Sequence, residues 1–232
     1  MGAAVELRST VCLLGRFPAL AGVDLNVERG ETVLVGGANG AGKTTLLRAL
    51  AGLVPIADGR ATVFDHDLRR DGKALRHRVG LLGHGAGLYD DLSAADNLRF
   101  WARAAGRPVA EVSEVMARLG INGRLAALAV GRLSTGQRRR VALAVLVARS
   151  PELWLLDEPH AGLDAAGRDL VDGLVRSAVA GGATVVLASH DLERAGALAD
   201  RSVTLAGGRV AGPATGERTA MATVAGGPVG VA

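Results

Sequence analysis

Thr32-Val33-Leu34-Val35-Gly36-Gly37-Ala38-Asn39-Gly40-Ala41-Gly42-Lys43-Thr44-Thr45-Leu46-Leu47-Arg48-Ala49-Leu50 is the stretch on which the fold turns. An apolar strand, Thr32 to Gly36, runs into a glycine-rich turn and then into an apolar helix from Lys43 to Ala51. From Gly37 to Thr44 the residues match G-x-x-x-x-G-K-[ST] without a gap. Glycines let the backbone curl until successive N–H groups face phosphate oxygens. The helix N-terminus adds partial positive charge at the same point. Lys43 is placed to reach the β- and γ-phosphates, and the Thr44 hydroxyl to ligate Mg²⁺. The candidate nucleotide-binding set is therefore Gly37, Ala38, Asn39, Gly40, Ala41, Gly42, Lys43, Thr44 and Thr45. Alone, this loop fits a kinase or a GTPase as well.

Further along the chain, Leu153 to Leu156 and Thr184 to Ala188 are continuous apolar runs of strand length, as expected where both faces of a sheet are covered. Val203 to Leu205 reads as a last strand. Strands alternating with helical stretches predict an α/β fold with a mostly parallel sheet. Ser93 to Val147 reads as mostly helical. Ser93 and Asp96 form an S-x-x-D start signal, with Leu98, Trp101 and Ala102 following on one face. Residues 85–145 are thus expected to form a helical subdomain inserted into a core made of residues 1–84 and 146–211. From Gly212 to the end, Gly, Ala, Thr and Pro dominate without apolar periodicity, so 212–232 reads as a disordered tail. There is no internal repeat.

Composition narrows the function classes. The 232 residues suit one large domain, and 49% of them are hydrophobic, enough for a sizeable core with few aromatics in it. The net charge is only +4, and the one dense basic run, Arg138-Arg139-Arg140, has no aromatic beside it; nucleic-acid binding is disfavoured. Lys43 and Lys73 are the only lysines. Cys12 is the only cysteine, which excludes an intramolecular disulfide and suits a reducing compartment. The first residues hold no basic segment followed by an apolar stretch, so a secretory signal is not expected. The longest clean apolar run, Val141 to Ala148, falls short of the ~18–20 residues a bilayer requires. A membrane role would have to come through a partner.

Two further elements carry chemistry. The strand Leu153-Trp154-Leu155-Leu156 delivers Asp157 and Glu158 at its carboxyl end, where ligands sit in open α/β sheets. Asp157 suits Mg²⁺, and Glu158 suits polarisation of an attacking water. Leu133-Ser134-Thr135-Gly136-Gln137 contains S-x-x-Q, the start of a helix whose N–H groups and dipole face forward. In isolation this would be a plain capping box.

With these elements in order, the chain resembles the ATP-binding subunits of ABC transporters. Ser134, Thr135, Gly136 and Gln137 resemble that family's signature, with Thr135 in place of one glycine. Asp164 in Ala161-Gly162-Leu163-Asp164 resembles its D-loop, and His190, after Thr184 to Ser189, its switch histidine. The resemblance covers roughly residues 5–210. It implies a P-loop NTPase (RecA-like) core, an N-terminal antiparallel β portion and ATP with Mg²⁺ held through Thr44 and Asp157. It also implies catalysis by Glu158 with His190, and a head-to-tail homodimer. There each ATP lies between the loop of one chain and Ser134 and Gly136 of the other. It places the chain at the cytoplasmic face of the cell membrane, beneath separate permease subunits.

Two positions depart from the family pattern. His84 stands where a glutamine is usual, and Leu14 aligns with an adenine-stacking aromatic, with Phe17 as a possible substitute from a shifted loop. The Gly83-His84 pair, the stretch Leu92 to Arg103 and the arginine-rich helix after the signature resemble the haem-exporter ATPases of cytochrome c maturation. ATPases of lipid or drug exporters are the main rival. A soluble ABC ATPase of translation or repair fits less well, because the chain has neither a second ATPase domain nor a long coiled coil. A regulatory module without hydrolysis is disfavoured by the intact Lys43, Asp157, Glu158 and His190. His66 and His77 read as solvated surface residues.

Overall fold

The computed structural model describes residues 2–72, 74–83 and 87–211. The chain opens with two long antiparallel strands, β1 (Ala3–Leu14) and β2 (Phe17–Glu28). These are followed by β3 (Thr32–Gly36), α1 (Lys43–Leu50), β4 (Asp58–Val63), the short β5 (His66–Asp67) and β6 (Val79–Leu82). A helical stretch comes next: α2 (Ala94–Ala104), α3 (Val112–Arg118), α4 (Gly123–Ala127) and α5 (Thr135–Arg149). The chain then returns to β7 (Leu153–Asp157), α6 (Ala165–Ala180), β8 (Thr184–Ala188), α7 (Leu192–Gly196), β9 (Arg201–Ala206) and β10 (Arg209–Ala211).

Two sheets result. One is four-stranded in the order β2-β1-β4-β5, and its paired strands are antiparallel. The other is six-stranded in the order β10-β9-β3-β8-β7-β6, parallel except where β10 turns back on β9. The expected last strand, Val203 to Leu205, is therefore longer and is followed by one more. Gly207 and Gly208, both at positive φ, make the hairpin between them.

The apolar runs form strands because the central sheet is buried on both faces. Along β7, Leu153 and Leu155 face the core shared with α1 and the antiparallel sheet, while Trp154 and Leu156 face the core shared with α2, α5 and α6. The same split divides Val33 and Val35 from Leu34 in β3, and Val186 from Val185 and Leu187 in β8. Each such side chain removed from water stabilises the fold by about 1.5–3 kcal/mol before chain entropy is set against it. Strands anchored this way hold their carboxyl ends in fixed register, with Asp157 opposite Ala188.

The helical stretch starts as its sequence predicts. The Ser93 hydroxyl accepts from the Asp96 N–H, and Leu98 and Ala102 are buried, with Trp101 half-buried between them. Asn97, fully buried, fastens the incoming loop by accepting from Tyr89 N and donating to the Tyr89 and Ser93 carbonyls. His77 is exposed as expected; His66 is half-buried in β5. His84 and the 212–232 tail lie outside the described residues. Among the described residues no helix is long and apolar enough to cross a membrane.

Candidate functional site

The loop between β3 and α1 is shaped by close backbone approach. Gly37 has φ 134°, and a Cβ there would lie 2.3 Å from the Leu205 carbonyl oxygen; at Gly42, φ 107°, it would lie 2.7 Å from that of Ala19. Glycine is thus required at both positions. Gly42 is the N-cap of α1 and offers no side chain, so the first-turn N–H groups are left to a ligand. The buried Lys43 ammonium folds back inside the loop, donating to the Gly37 carbonyl at 2.7 Å and the Ala38 carbonyl at 3.0 Å.

A cleft of about 460 Å³ runs along this loop from Asn39 to Thr45. Leu14 and Phe17 line it, 54% and 72% exposed, as do Asp157, Glu158 and His190. The Thr44 hydroxyl donates to Asp157 Oδ2 at 2.8 Å, which offsets the cost of burying that carboxylate. A hydroxyl and a carboxylate oxygen side by side form a hard donor set of the kind Mg²⁺ takes from a protein, its other ligands coming from phosphates and water. Among the described residues no cluster of three or more His, Cys, Asp or Glu offers a complete protein-made metal cage. The Thr44–Asp157 donor set fits a magnesium carried with a nucleotide.

Glu158 is held in an unusual way. Its φ is 49°, in the left-handed region, which costs a side-chain-bearing residue about 1–2 kcal/mol. Its N–H donates to the Ala188 carbonyl at 2.9 Å, and its Oε2 accepts from the His190 N–H at 3.2 Å. Oε1 is buried without a partner, 3.5 Å from His190 Nε2. A positioned carboxylate oxygen with open accepting capacity is what a general base requires. The His190 side chain is 55% exposed, at the mouth of the cleft.

Ser134 caps α5 by accepting from Gln137 N, and Gln137 Oε1 accepts from Ser134 N, a complete capping box. Ser134, Thr135 and Gln137 are exposed, and none of the four signature residues lines the loop's cleft. Thr135 instead lines a smaller cleft of about 200 Å³ with Arg139, Asp157, Glu158 and Gly162. Asp164 caps α6 through Gly167 N at 2.8 Å, so within this chain its carboxylate does structural work. The fold thus gathers the loop, Asp157, Glu158 and His190 in one cleft, and sets Thr135 of the signature in a second cleft that shares Asp157 and Glu158.

Two side-chain arrangements escaped the sequence reading. Arg139, half-buried in α5, donates from Nη1 to the Gly83 carbonyl at 2.9 Å. Its Nη2 donates to the carbonyls of Asp157 at 2.9 Å and Glu158 at 2.6 Å. Burial lowers the pKa of this guanidinium, while the negative charges of Asp157 and Glu158 oppose that shift. The second arrangement centres on buried Asp172 of α6: Oδ1 meets His160 Nε2 at 2.8 Å, and Oδ2 accepts from Arg194 at 2.5 Å. Asp172 and Asp169 together raise the Arg194 pKa. This network ties the segment after Glu158 to α7, which follows His190. The one signal for it was a carboxylate among the buried positions Val171, Leu174 and Val175 of an amphipathic helix.

A nucleotide loop joined to a carboxylate pair on a strand of a parallel sheet defines a nucleotide-hydrolysing cassette, and residues 20–161 match the family described as ABC transporter. The chain belongs to that family and is an ATPase subunit of the ABC type. Its fold superposes on a dimeric ATP-binding cassette solved with ADP and Pi in a post-hydrolysis state. The TM-score is 0.82 at 25% identity, over 89% of this chain and 96% of the other. It is 38% identical over 185 residues to the cytochrome c biogenesis ATP-binding export protein CcmA of Nitrosomonas europaea, covering 79% of this chain and 86% of that protein. It is 42% identical over 190 residues to CcmA of Bordetella bronchiseptica, covering 81% and 84%. A daunorubicin resistance ATP-binding protein of Streptomyces coeruleorubidus is 42% identical over 209 residues. That match takes in 88% of this chain, which spans only 65% of the length of that relative.

Proposed function

We propose that this chain powers haem export or handling in cytochrome c biogenesis, as the ATPase beneath a separate membrane permease at the cytoplasmic face. The observation that carries the hydrolytic part is the convergence, in one cleft, of Lys43, the Thr44–Asp157 pair and Glu158 with its unpartnered oxygen. In this reading residues 37–45 wrap the phosphates of ATP with backbone N–H groups, and Lys43 shifts from the loop carbonyls to the β- and γ-phosphates. Thr44 and Asp157 would hold Mg²⁺, which when bound would supply positive charge beside the phosphate oxygens. Glu158 takes the proton of the attacking water, steadied by the His190 N–H, while the imidazole faces the γ-phosphate. Leu14 and Phe17, both exposed at the cleft, are the surfaces open to adenine.

The signature residues, none of which lines this cleft, serve a second copy. In a head-to-tail homodimer Ser134 and Gly136 of one chain close over the γ-phosphate held by the other. The dimeric form of the superposable cassette supports pairing of two copies. Residues 1–84 and 146–211 then act as the nucleotide core and 85–145 as the part that presents the signature.

The CcmA proteins support the haem reading by their identity and by similar length coverage. The daunorubicin resistance relative supports drug export as the second reading. Deleting this chain from its host separates them. Loss of covalently haem-labelled c-type cytochromes with unchanged drug tolerance is expected. Intact cytochromes with raised daunorubicin sensitivity would move the assignment to drug export.

A further inference from the structure

Helix α5 carries two different tips of chemistry on one rigid rod. Its N-terminus is Ser134, locked by the capping box. Arg139 lies about 7 Å further along the axis at the helical rise. There its guanidinium grips three carbonyls from two other segments: Gly83, where the chain leaves β6, and Asp157 and Glu158 at the end of β7. The grip is spread over two nitrogens of a planar fork, Nη1 on one carbonyl and Nη2 on two, whereas an ammonium places all its donors on a single atom. One of the three belongs to Glu158, whose φ of 49° needs outside support to persist. Nothing in hydrolysis itself, as described above, uses this half-buried cation.

We infer that Arg139 is a positioning residue that holds Glu158 in its left-handed conformation and couples the two nucleotide sites of the dimer. The coupling rests on the shared-nucleotide reading given above. In that arrangement the N-terminus of α5 meets the ATP held by the partner, while Arg139 on the same helix holds the base that acts on this chain's own ATP. Docking of α5 on the partner's nucleotide therefore shifts the backbone that aims Glu158. A helix translates as a unit, so a small displacement at Ser134 arrives at Arg139 undiminished. ATP at one site readies the other.

The test compares Arg139→Met, which keeps the stem and removes the fork, with Arg139→Lys, which keeps charge and loses the three-way geometry. Steady-state ATPase rates are measured against ATP concentration, with ATP binding measured by calorimetry. Binding by Arg139→Met is expected to stay at the wild-type level while kcat falls about 10–100-fold, the cost of a misaimed catalytic group. The Hill coefficient should drop from near 2, the limit set by two sites, toward about 1. Arg139→Lys should show the same loss of cooperativity with a milder loss of kcat. If Arg139→Met fails to fold, Arg139→Lys is read alone by the same criteria. Wild-type kcat and Hill coefficient in the folded variant would overturn the inference, and so would loss of ATP binding in step with kcat. ATP-dependent dimerisation of Glu158→Gln with Arg139 intact is measured in parallel. If that dimer does not form, the shared-nucleotide reading fails; if it forms and Arg139 variants behave as wild type, the role of Arg139 fails while the shared-nucleotide reading stands.

Discussion

Glu158→Gln should bind ATP with Mg²⁺, accumulate as a dimer, and release phosphate about 10²–10⁴-fold more slowly than the wild type, the usual cost of losing a positioned general base. The substitution is nearly isosteric, so an oxygen can still accept from the His190 N–H that now meets Oε2 at 3.2 Å. What disappears is the basicity of the buried, unpartnered Oε1. Lys43, Thr44 and the loop backbone are untouched, so binding has no reason to weaken. Removing one negative charge from the edge of a triphosphate site should favour the bound state. Steady-state phosphate release beside sizing in ATP checks both halves of the expectation. Near wild-type turnover would remove Glu158 from the mechanism and turn attention to His190.

Lys43→Ala should instead abolish useful ATP binding. The Lys43 ammonium is buried in the loop and satisfied by the Gly37 and Ala38 carbonyls. When phosphates enter, it is the side-chain cation this loop offers them. Truncating one partner of a buried charged pair typically costs about 2–5 kcal/mol, so an affinity loss of roughly 30- to 5,000-fold is expected. The change also strips both loop carbonyls of their donor. Calorimetric titration with ATP reads the effect directly, and an unchanged affinity would rule out the phosphate-loop role of residues 37–44. The two substitutions separate binding from chemistry: one loses the ligand, the other keeps it and stalls.

The sequence made the central sheet legible because its strands are covered on both faces. Runs such as Leu153 to Leu156 are then apolar without interruption, and no helical periodicity competes. Helix starts were legible where a side chain caps them, as Ser93 and Ser134 do. The phosphate loop was legible because sterics leave Gly37 and Gly42 no substitute. β1 and β2 were harder. Their pairing carries several register shifts, including one beside Ser9 at φ 45°, which break the alternation that marks a strand. β10 is three residues long and defined by its pairing with β9, a contact that local composition does not encode.

The site's supporting contacts were least visible. Arg139 binds main-chain carbonyls 18 to 56 residues away, and carbonyls are present at every position of any sequence. The Arg138-Arg139-Arg140 run shows in the sequence only as a dense basic stretch, although its middle member reaches inward. His160 and Arg194 meet only through Asp172, twelve residues from one and twenty-two from the other. Such bridges follow from the packing of α6 against the sheet, which must be known first.

ATP shared between the loop of one chain and the signature of another has a distinct consequence when two defective chains are mixed. Ser134→Arg places a bulky cation at the exposed N-terminus of α5, where it opposes the dipole and fills the space a γ-phosphate needs. In the Glu158→Gln background, chains carrying Lys43→Ala and chains carrying Ser134→Arg are each expected to stay monomeric in ATP. Mixed together, they leave one composite site intact, built from the loop of the Ser134→Arg chain and the signature of the Lys43→Ala chain. An ATP-dependent heterodimer trapping a single nucleotide should therefore appear in the mixture. It should be absent when both substitutions sit in one chain mixed with an unsubstituted partner, because each site then carries one defect. Equal recovery in both mixtures, or none in either, would contradict a nucleotide shared in trans.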